Sequence, residues 1–287
     1  MADTSIYKDI SERTGGNVYV GVVGPVRTGK STFIKRFMES LVLPNISDGY
    51  KHDRARDELP QSAAGKTVMT TEPKFIPDEA VEINPSGAGK LRVRMIDCVG
   101  YMVDGAMGVL EEGHPRLVRT PWSEEPMPFA NAAEEGTRKV ICEHSTIGMV
   151  ITSDGSIGEI PRESYVEAEE RVIKELKELG KPFAVILNSS HPTSNESIAL
   201  GHQLEEKYGI PVALVSCLVS AKICTATMPL YAKAAVCVGV PCAIISLFYG
   251  GSYEFRRAWE ILLEMSGVKR RQKDSFGLTN RYKYDNI

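Results

Sequence analysis

Eight consecutive residues, Gly24-Pro25-Val26-Arg27-Thr28-Gly29-Lys30-Ser31, fit the pattern G-x-x-x-x-G-K-[ST] at each of its fixed positions. Glycines at this spacing let the backbone turn tightly with successive N–H groups facing inward. A helix that starts directly after them aims its positive end at the same point. This is the chemistry needed to hold a chain of phosphates, completed by a lysine for the β- and γ-phosphates and a hydroxyl for the accompanying Mg²⁺. Lys30 and Ser31 stand at those two places.

A second element follows about 65 residues later, where Met95-Ile96-Asp97-Cys98-Val99-Gly100 reads as an apolar run ending in a carboxylate. Asp97 is expected to face the glycine loop and hold Mg²⁺ through water, and the D-x-x-G spacing is expected to bring the Gly100 N–H to the γ-phosphate. Between the two lies Thr67-Val68-Met69-Thr70-Thr71-Glu72-Pro73, in the place where Ras-like triphosphatases keep a threonine that senses the γ-phosphate. Thr70 and Thr71 are equal candidates for it. Lys66 and Arg27 read first as solvated loop cations and second as phosphate contacts.

These residues need a scaffold that brings strand ends together. Val18 to Val23 is an apolar, β-branched run that predicts a buried strand, and Ser31 to Leu43 shows helical spacing through Phe33, Ile34, Phe37, Met38 and Leu41. Pro44 to Thr71 reads as a long polar connection. Val81 to Ile83 and Leu91 to Asp97 predict a hairpin, and Gly100 to Phe129 a Gly- and Pro-rich surface insertion. A helix over Ala130 to His144, a strand over Ile147 to Ser153, a charged amphipathic helix over Tyr165 to Leu179, and strands over Phe183 to Leu187 and Val212 to Val215 complete the series. Strands alternating with helices imply an α/β fold of the P-loop triphosphatase type, with a mostly parallel sheet and helices on both faces.

Guanine is the base this sequence disfavours. A GTP-reading site uses [NT]-K-x-D after a late strand, its carboxylate accepting two hydrogen bonds from the base, and loss of such a partner costs several kcal/mol, on the order of measured polar discrimination. Here the corresponding residues are Asn188-Ser189-Ser190-His191, so the asparagine is kept and the lysine and aspartate are absent. ATP is therefore the expected nucleotide. Tyr101 follows the D-x-x-G where Ras-like enzymes place a water-orienting glutamine, which implies slow intrinsic turnover or activation by assembly.

The chain has 287 residues, 43% hydrophobic and 25% charged, and a formal net charge of -3, values typical of a globular protein. Neither nucleic acid nor an anionic membrane is an expected partner. The six cysteines lack paired C-x-x-C spacing and the acidic start carries no apolar leader, so a reduced, cytoplasmic setting is expected. No structural metal site is expected around His144 or His191, nor at Asp154 or Glu159, which read as loop carboxylates.

Longer strings around these motifs resemble the stage IV sporulation protein A family, the spore-coat morphogenetic ATPases of endospore-forming Firmicutes. They are Ile10 to Gly16, Arg56 to Thr67, Thr71 to Phe75, Thr120-Pro121-Trp122, His144 to Gly148 and Glu167 to Ile173, and the resemblance runs over roughly residues 1–217. It implies a GTPase-like fold of the translation-factor-related class that has turned to ATP. It also implies ATP hydrolysis that drives self-assembly into the basement layer of the coat, on the outer forespore surface in the mother cell. Other spore coat morphogenetic proteins and a small membrane-associated peptide are the implied partners, without a direct membrane span. Carried over by position, the nucleotide is expected against Gly24, Pro25, Val26, Arg27, Thr28, Gly29, Lys30, Ser31, Thr32, Gly100 and Asn188. Mg²⁺ is expected at Ser31, Thr71 and Asp97, and catalysis at Lys30, Thr70, Thr71 and Asp97. A GTPase-type switch and a nucleotide-binding scaffold without hydrolysis are the alternatives.

The resemblance stops near Cys217, which divides the chain into an expected ATPase domain, 1–216, and a divergent tail, 217–287. The first part carries 24 Lys and Arg against 32 Asp and Glu, the tail 10 against 5 together with four of the six cysteines. Three readings of the tail compete: a frame-shifted or misassembled gene end, a membrane span over the uncharged residues Ala234 to Tyr253, and a helical extension packing through Phe255, Trp259, Leu262 and Leu263. The expected middle and C-terminal regions of the family are not recognisable in it.

Overall fold

Val18, Val20, Val22 and Val23 are each buried in strand β1 (Asn17–Val23), which lies inside a six-stranded sheet. The computed structural model describes residues 15–60, 72–83, 91–210 and 212–217. The other strands of this sheet are β2 (Lys74–Ile83), β3 (Leu91–Asp97), β8 (Ile147–Ser153), β9 (Phe183–Asn188) and β10 (Val212–Val215), in the spatial order β10-β9-β8-β1-β3-β2. β1 runs parallel to β3 with Val20 opposite Met95, and parallel to β8 with Val20 opposite Ile147. β9 and β10 continue the parallel set, and only β2, paired with β3, is antiparallel. Parallel strands covered on both faces read as continuous apolar runs, which is how β1, β8 and β9 appear in the sequence.

Alternate side chains of each strand enter opposite cores. Ala184 and Ile186 of β9 pack on one side with Val20, Met95 and Ile151, against Ile34 and Phe37 of α1 (Lys30–Phe37) and Ala55 of α2 (Gly49–Asp57). Val185 and Leu187 pack on the other side with Val150. Their partners there are Val172 and Leu176 of α4 (Arg162–Glu178) and Leu204 of α5 (Asn195–Tyr208), beside the end of α3 (Phe129–Lys139). This is a mixed α/β fold with a mainly parallel central sheet.

Several elements differ from the sequence expectation. The helix expected through Leu43 is α-helical only to Phe37, and then widens into a π-helical turn (Met38–Val42) and a 3₁₀ turn (Leu43–Asn45). The connection after Pro44 contains α2, capped by Asp48, whose carboxylate accepts the Lys51 N–H at 3.1 Å. Only Ala55 of α2 is buried, so the helix shows no apolar period. The insertion after Gly100 is not irregular throughout. It holds two small hairpins, β4 (Leu110–Glu111) with β5 (His114–Pro115), and β6 (Leu117–Thr120) with β7 (Ser123–Pro128). Helix α5, between His191 and β10, was not predicted, although Ser194 caps its start by accepting the Ser197 N–H and Gly209 ends it at φ 63°.

Candidate functional site

The loop from Gly24 to Gly29 leaves the C-terminal end of β1 and delivers the chain into α1. Two of its glycines have no substitute. A Cβ on Gly24, at φ 131°, would stand 2.3 Å from the Ile151 carbonyl oxygen, and one on Gly29, at φ 89°, would stand 2.5 Å from the Asn188 amide nitrogen. Arg27 holds the left-handed region at φ 64° without being glycine, a strained conformation of the kind that gathers at functional sites. Its Nη2 is buried without a hydrogen-bond partner. No side chain caps the start of α1, so its amide end stays open toward the loop.

Lys30 is buried and its Nζ donates to the Pro25 carbonyl at 2.6 Å, an oxygen that also accepts the Thr28 hydroxyl at 3.0 Å. Burial holds the Lys30 ammonium below its ordinary pKa, and the neighbouring Cys98 and Asp97 only partly offset this. Ser31 Oγ donates to Asp97 Oδ2 at 2.6 Å. The second carboxylate oxygen, Oδ1, is buried and accepts no hydrogen bond. Burial pushes the Asp97 carboxyl above its ordinary range, against the pull of Ser31, of Lys30 and, weakly, of the Cys98 amide. The structure thus brings together a lysine ammonium, a hydroxyl, a carboxylate with one unsatisfied oxygen, and an uncapped helix start. A divalent cation and a phosphate chain have the chemistry to meet those groups.

The segment after Asp97 is fastened to the loop. Tyr101 N–H donates to the Gly24 carbonyl at 3.2 Å and Val26 N–H to the Tyr101 carbonyl at 2.9 Å. Gly100, at φ 95°, lies so close that a Cβ would stand 2.1 Å from Gly24 O and 2.6 Å from Lys30 Nζ. Its N–H, expected to face the phosphates, instead donates to Thr137 Oγ1 on α3 at 3.1 Å. Tyr101 also points elsewhere than toward the loop. Its ring is buried in the second core, its hydroxyl donates to Glu175, and the Arg171 guanidinium stacks 4.6 Å from the ring centroid. Desolvation, then the Glu175 bond, raise its phenol far above the ordinary value.

Asn188 was expected against the nucleotide, and both ends of its amide are spent within the protein. Nδ2 donates to the Thr28 carbonyl and Oδ1 accepts the Cys217 N–H, each at 3.0 Å. It braces the loop from β9. The residues after it form a serine network: Ser189 Oγ lies 3.1 Å from Ser197 Oγ and accepts the His191 N–H at 2.9 Å, while Ser190 bonds to Ser156 through backbone N–H and hydroxyl. Asp154 closes the network, with Oδ1 accepting Ser156 and Oδ2 accepting the Ser197 hydroxyl. Burial alone would raise the Asp154 pKa; the surrounding hydroxyls and the Ser156 amide outweigh it and leave the carboxyl lowered.

Thr70, Thr71 and Lys66 lie outside the described residues, as do all tail positions after Cys217. Among the described residues, no helix is long and apolar enough to cross a membrane. Thr137 and Glu175 carry no motif and were missed; only the packing of α3 and α4 on the sheet brings them to Gly100 and Tyr101.

Against known proteins, residues 1–225 match the family model described as the stage IV sporulation protein A ATPase domain. Proteins named stage IV sporulation protein A from Bacillus subtilis (strain 168), Bacillus anthracis and Clostridioides difficile (strain 630) are similar to this chain. The Bacillus subtilis relative is 61% identical over 216 residues, 75% of this chain and 44% of its own length. The Bacillus anthracis relative is 59% identical over 216 residues, 75% and 44%, and the Clostridioides difficile relative 61% over 210 residues, 73% and 43%. The chain spans less than half the length of these curated relatives.

Proposed function

The chain belongs to the stage IV sporulation protein A ATPase-domain family, and from that membership and the geometry of the glycine loop we propose that it binds Mg²⁺-ATP at residues 24–31 and hydrolyses it slowly. The observation that carries the reading is the 2.6 Å bond from Ser31 to Asp97, beside buried Lys30, with Asp97 Oδ1 left without a partner. A buried, unsatisfied carboxylate oxygen is costly unless a ligand completes it. The fold belongs, on this reading, to the P-loop class related to Ras-like and translation-factor triphosphatases.

Ser31, Asp97 and, from outside the described residues, Thr71 would hold Mg²⁺. A bound Mg²⁺ supplies charge neutralisation for the phosphates. The chain's own contribution is orientation: loop amides and the open start of α1 face the anion, Lys30 adds a positive charge in a desolvated setting where it acts strongly, and Asn188 keeps the loop from shifting. Thr70 or Thr71 would sense the γ-phosphate.

ATP is favoured over GTP because residues 188–191 offer no carboxylate, and the nearby Asp154 has both oxygens occupied by serine hydrogen bonds. Slow turnover follows from Tyr101, whose side chain is committed to Glu175 and so leaves the water-orienting role unfilled. That same observation favours the second reading, a scaffold that binds nucleotide without hydrolysing it.

In the longer relatives' context, hydrolysis would drive self-assembly of the coat basement layer on the forespore, with other coat morphogenetic proteins and a small membrane-associated peptide as partners. Phosphate release by the purified chain beside its Lys30→Ala variant tests the reading, with light scattering in ATP reporting polymerisation. Equal background release from the two proteins, with nucleotide still bound, would select the scaffold. A clear preference for labelled GTP over ATP would refute the base assignment.

A further inference from the structure

Gly100 is held between two fixed neighbours. On one side Cys98 Sγ donates to the Val22 carbonyl at 3.4 Å, and on the other the Tyr101 backbone is paired with Gly24 and Val26 while its side chain is anchored at Glu175. Within this frame the amide of Gly100 donates to Thr137 Oγ1 at 3.1 Å, with the Cys98 sulfur as a weaker second acceptor. Thr137 is fully buried, and its one proton is shared between the Ala133 carbonyl at 2.8 Å and Cys98 Sγ at 3.5 Å, which leaves its oxygen lone pairs to accept the Gly100 N–H. The backbone of Gly100 occupies a region open to glycine alone, within van der Waals reach of Lys30 Nζ.

We infer that Thr137 is a positioning residue that sets the preference of the site for nucleoside triphosphate over diphosphate, by offering the Gly100 N–H an acceptor in competition with the terminal phosphate. The inference rests on the nucleotide reading given above. With the residues on either side pinned, the motion left to the segment is rotation of the Val99–Gly100 peptide, which carries the N–H from Thr137 toward the glycine loop. A diphosphate lacks the γ-phosphate oxygen that would compete for that amide, whereas a triphosphate has it. The hydroxyl of Thr137 therefore weakens triphosphate binding and leaves diphosphate binding nearly unchanged. Differential affinity for two states is what allows a ligand to shift a conformational balance.

The test compares the full chain with its Thr137→Val and Thr137→Ser variants, measuring dissociation constants for a non-hydrolysable ATP analogue and for ADP, each with Mg²⁺. Valine keeps the shape and removes the acceptor, so the analogue-to-ADP preference should rise about fivefold, the lower end of measured coupling between sites. Serine keeps the oxygen and should preserve the wild-type ratio. An unchanged ratio in the valine variant, or a serine variant that behaves like valine, overturns the assignment. Should the valine variant not fold, the wild-type chain still decides. Its Gly100 amide resonance should stay near the ligand-free position with ADP and move with the analogue, and the same displacement with both ligands overturns the assignment. Failure of the wild-type chain to bind either nucleotide would instead defeat the underlying nucleotide reading, and this inference with it.

Discussion

Ser31 and Asp97, 66 residues apart in the sequence, share a 2.6 Å hydrogen bond that joins the start of α1 to the end of β3. The bond satisfies one carboxylate oxygen and leaves the other buried without a partner.

Replacing Asp97 with Asn should abolish Mg²⁺-dependent nucleotide binding and also change how stability varies with pH. Burial raises the Asp97 pKa, so the folded chain keeps this proton to higher pH than the unfolded chain does. Wild-type stability gained from that proton is present below the ordinary value of 3.8 and is lost as pH rises through the raised folded value. Urea denaturation at stepped pH should show that loss in the wild type and a flatter profile in Asp97→Asn.

Lys30→Met separates stability from binding. Desolvation lowers the Lys30 pKa, so its charge costs folding energy at neutral pH, and the cost lifts as pH rises through the lowered folded value toward 10.5. Pro25 O keeps the Thr28 hydroxyl when Lys30 is gone. The variant should match or exceed the wild-type melting temperature at pH 7, with the difference shrinking as pH rises toward 10.5, while nucleotide binding falls below detection. A variant that unfolds at pH 7 contradicts this expectation.

Asn188→Ala strips two buried backbone groups of their partner, the Thr28 carbonyl and the Cys217 N–H. Each unsatisfied group costs about 1–3 kcal/mol. A loss of about 2–4 kcal/mol in denaturant unfolding is expected, together with weaker nucleotide binding from a loosened loop. Asn188→Asp should be no better, because a carboxylate cannot donate to Thr28 O.

Tyr101→Gln installs the residue that Ras-like enzymes use to orient water, yet it should not raise turnover. The side chain at this position enters the second core and meets Glu175 and Arg171. Losing the ring should cost about 3 kcal/mol of stability, within the range for large core truncations. Increased phosphate release from a stably folded variant would show that position 101 can reach the site.

Away from the loop, Glu169 is fully buried and accepts both Arg162 guanidinium nitrogens at 2.6 and 2.8 Å, the Tyr208 hydroxyl at 2.6 Å and the Thr152 hydroxyl. This group joins β8, α4 and α5. Arg162→Ala leaves a buried carboxylate without its cation, which should cost about 3–5 kcal/mol in chemical denaturation.

The glycine loop, Asp97 and the buried strands were legible because each rests on local pattern: fixed spacing for the loop, continuous apolar runs for β1, β8 and β9. Helices α2 and α5 were not, since α2 buries Ala55 alone and α5 carries Gly201 within a weakly periodic stretch. Their signals were the caps, Asp48 and Ser194. The destinations of the Gly100 N–H, the Tyr101 ring and the Asn188 amide are set by which helices pack beside them, and no single-residue preference encodes that. The fold brings Lys30, Ser31 and Asp97 together as their spacing implied, while the Gly100 N–H and the Asn188 amide have partners within the protein that the sequence does not reveal.

The two small hairpins between Leu110 and Pro128 lie between a segment pinned to the glycine loop at Tyr101 and the buried anchor Phe129, which begins α3. None of their residues belongs to either core. The second hairpin is tied to α3, since Thr120 is buried and Arg116 stacks on Phe129, whereas the first is exposed from Leu110 to Pro115, which makes it the natural handle for attaching a fluorophore or an affinity tag.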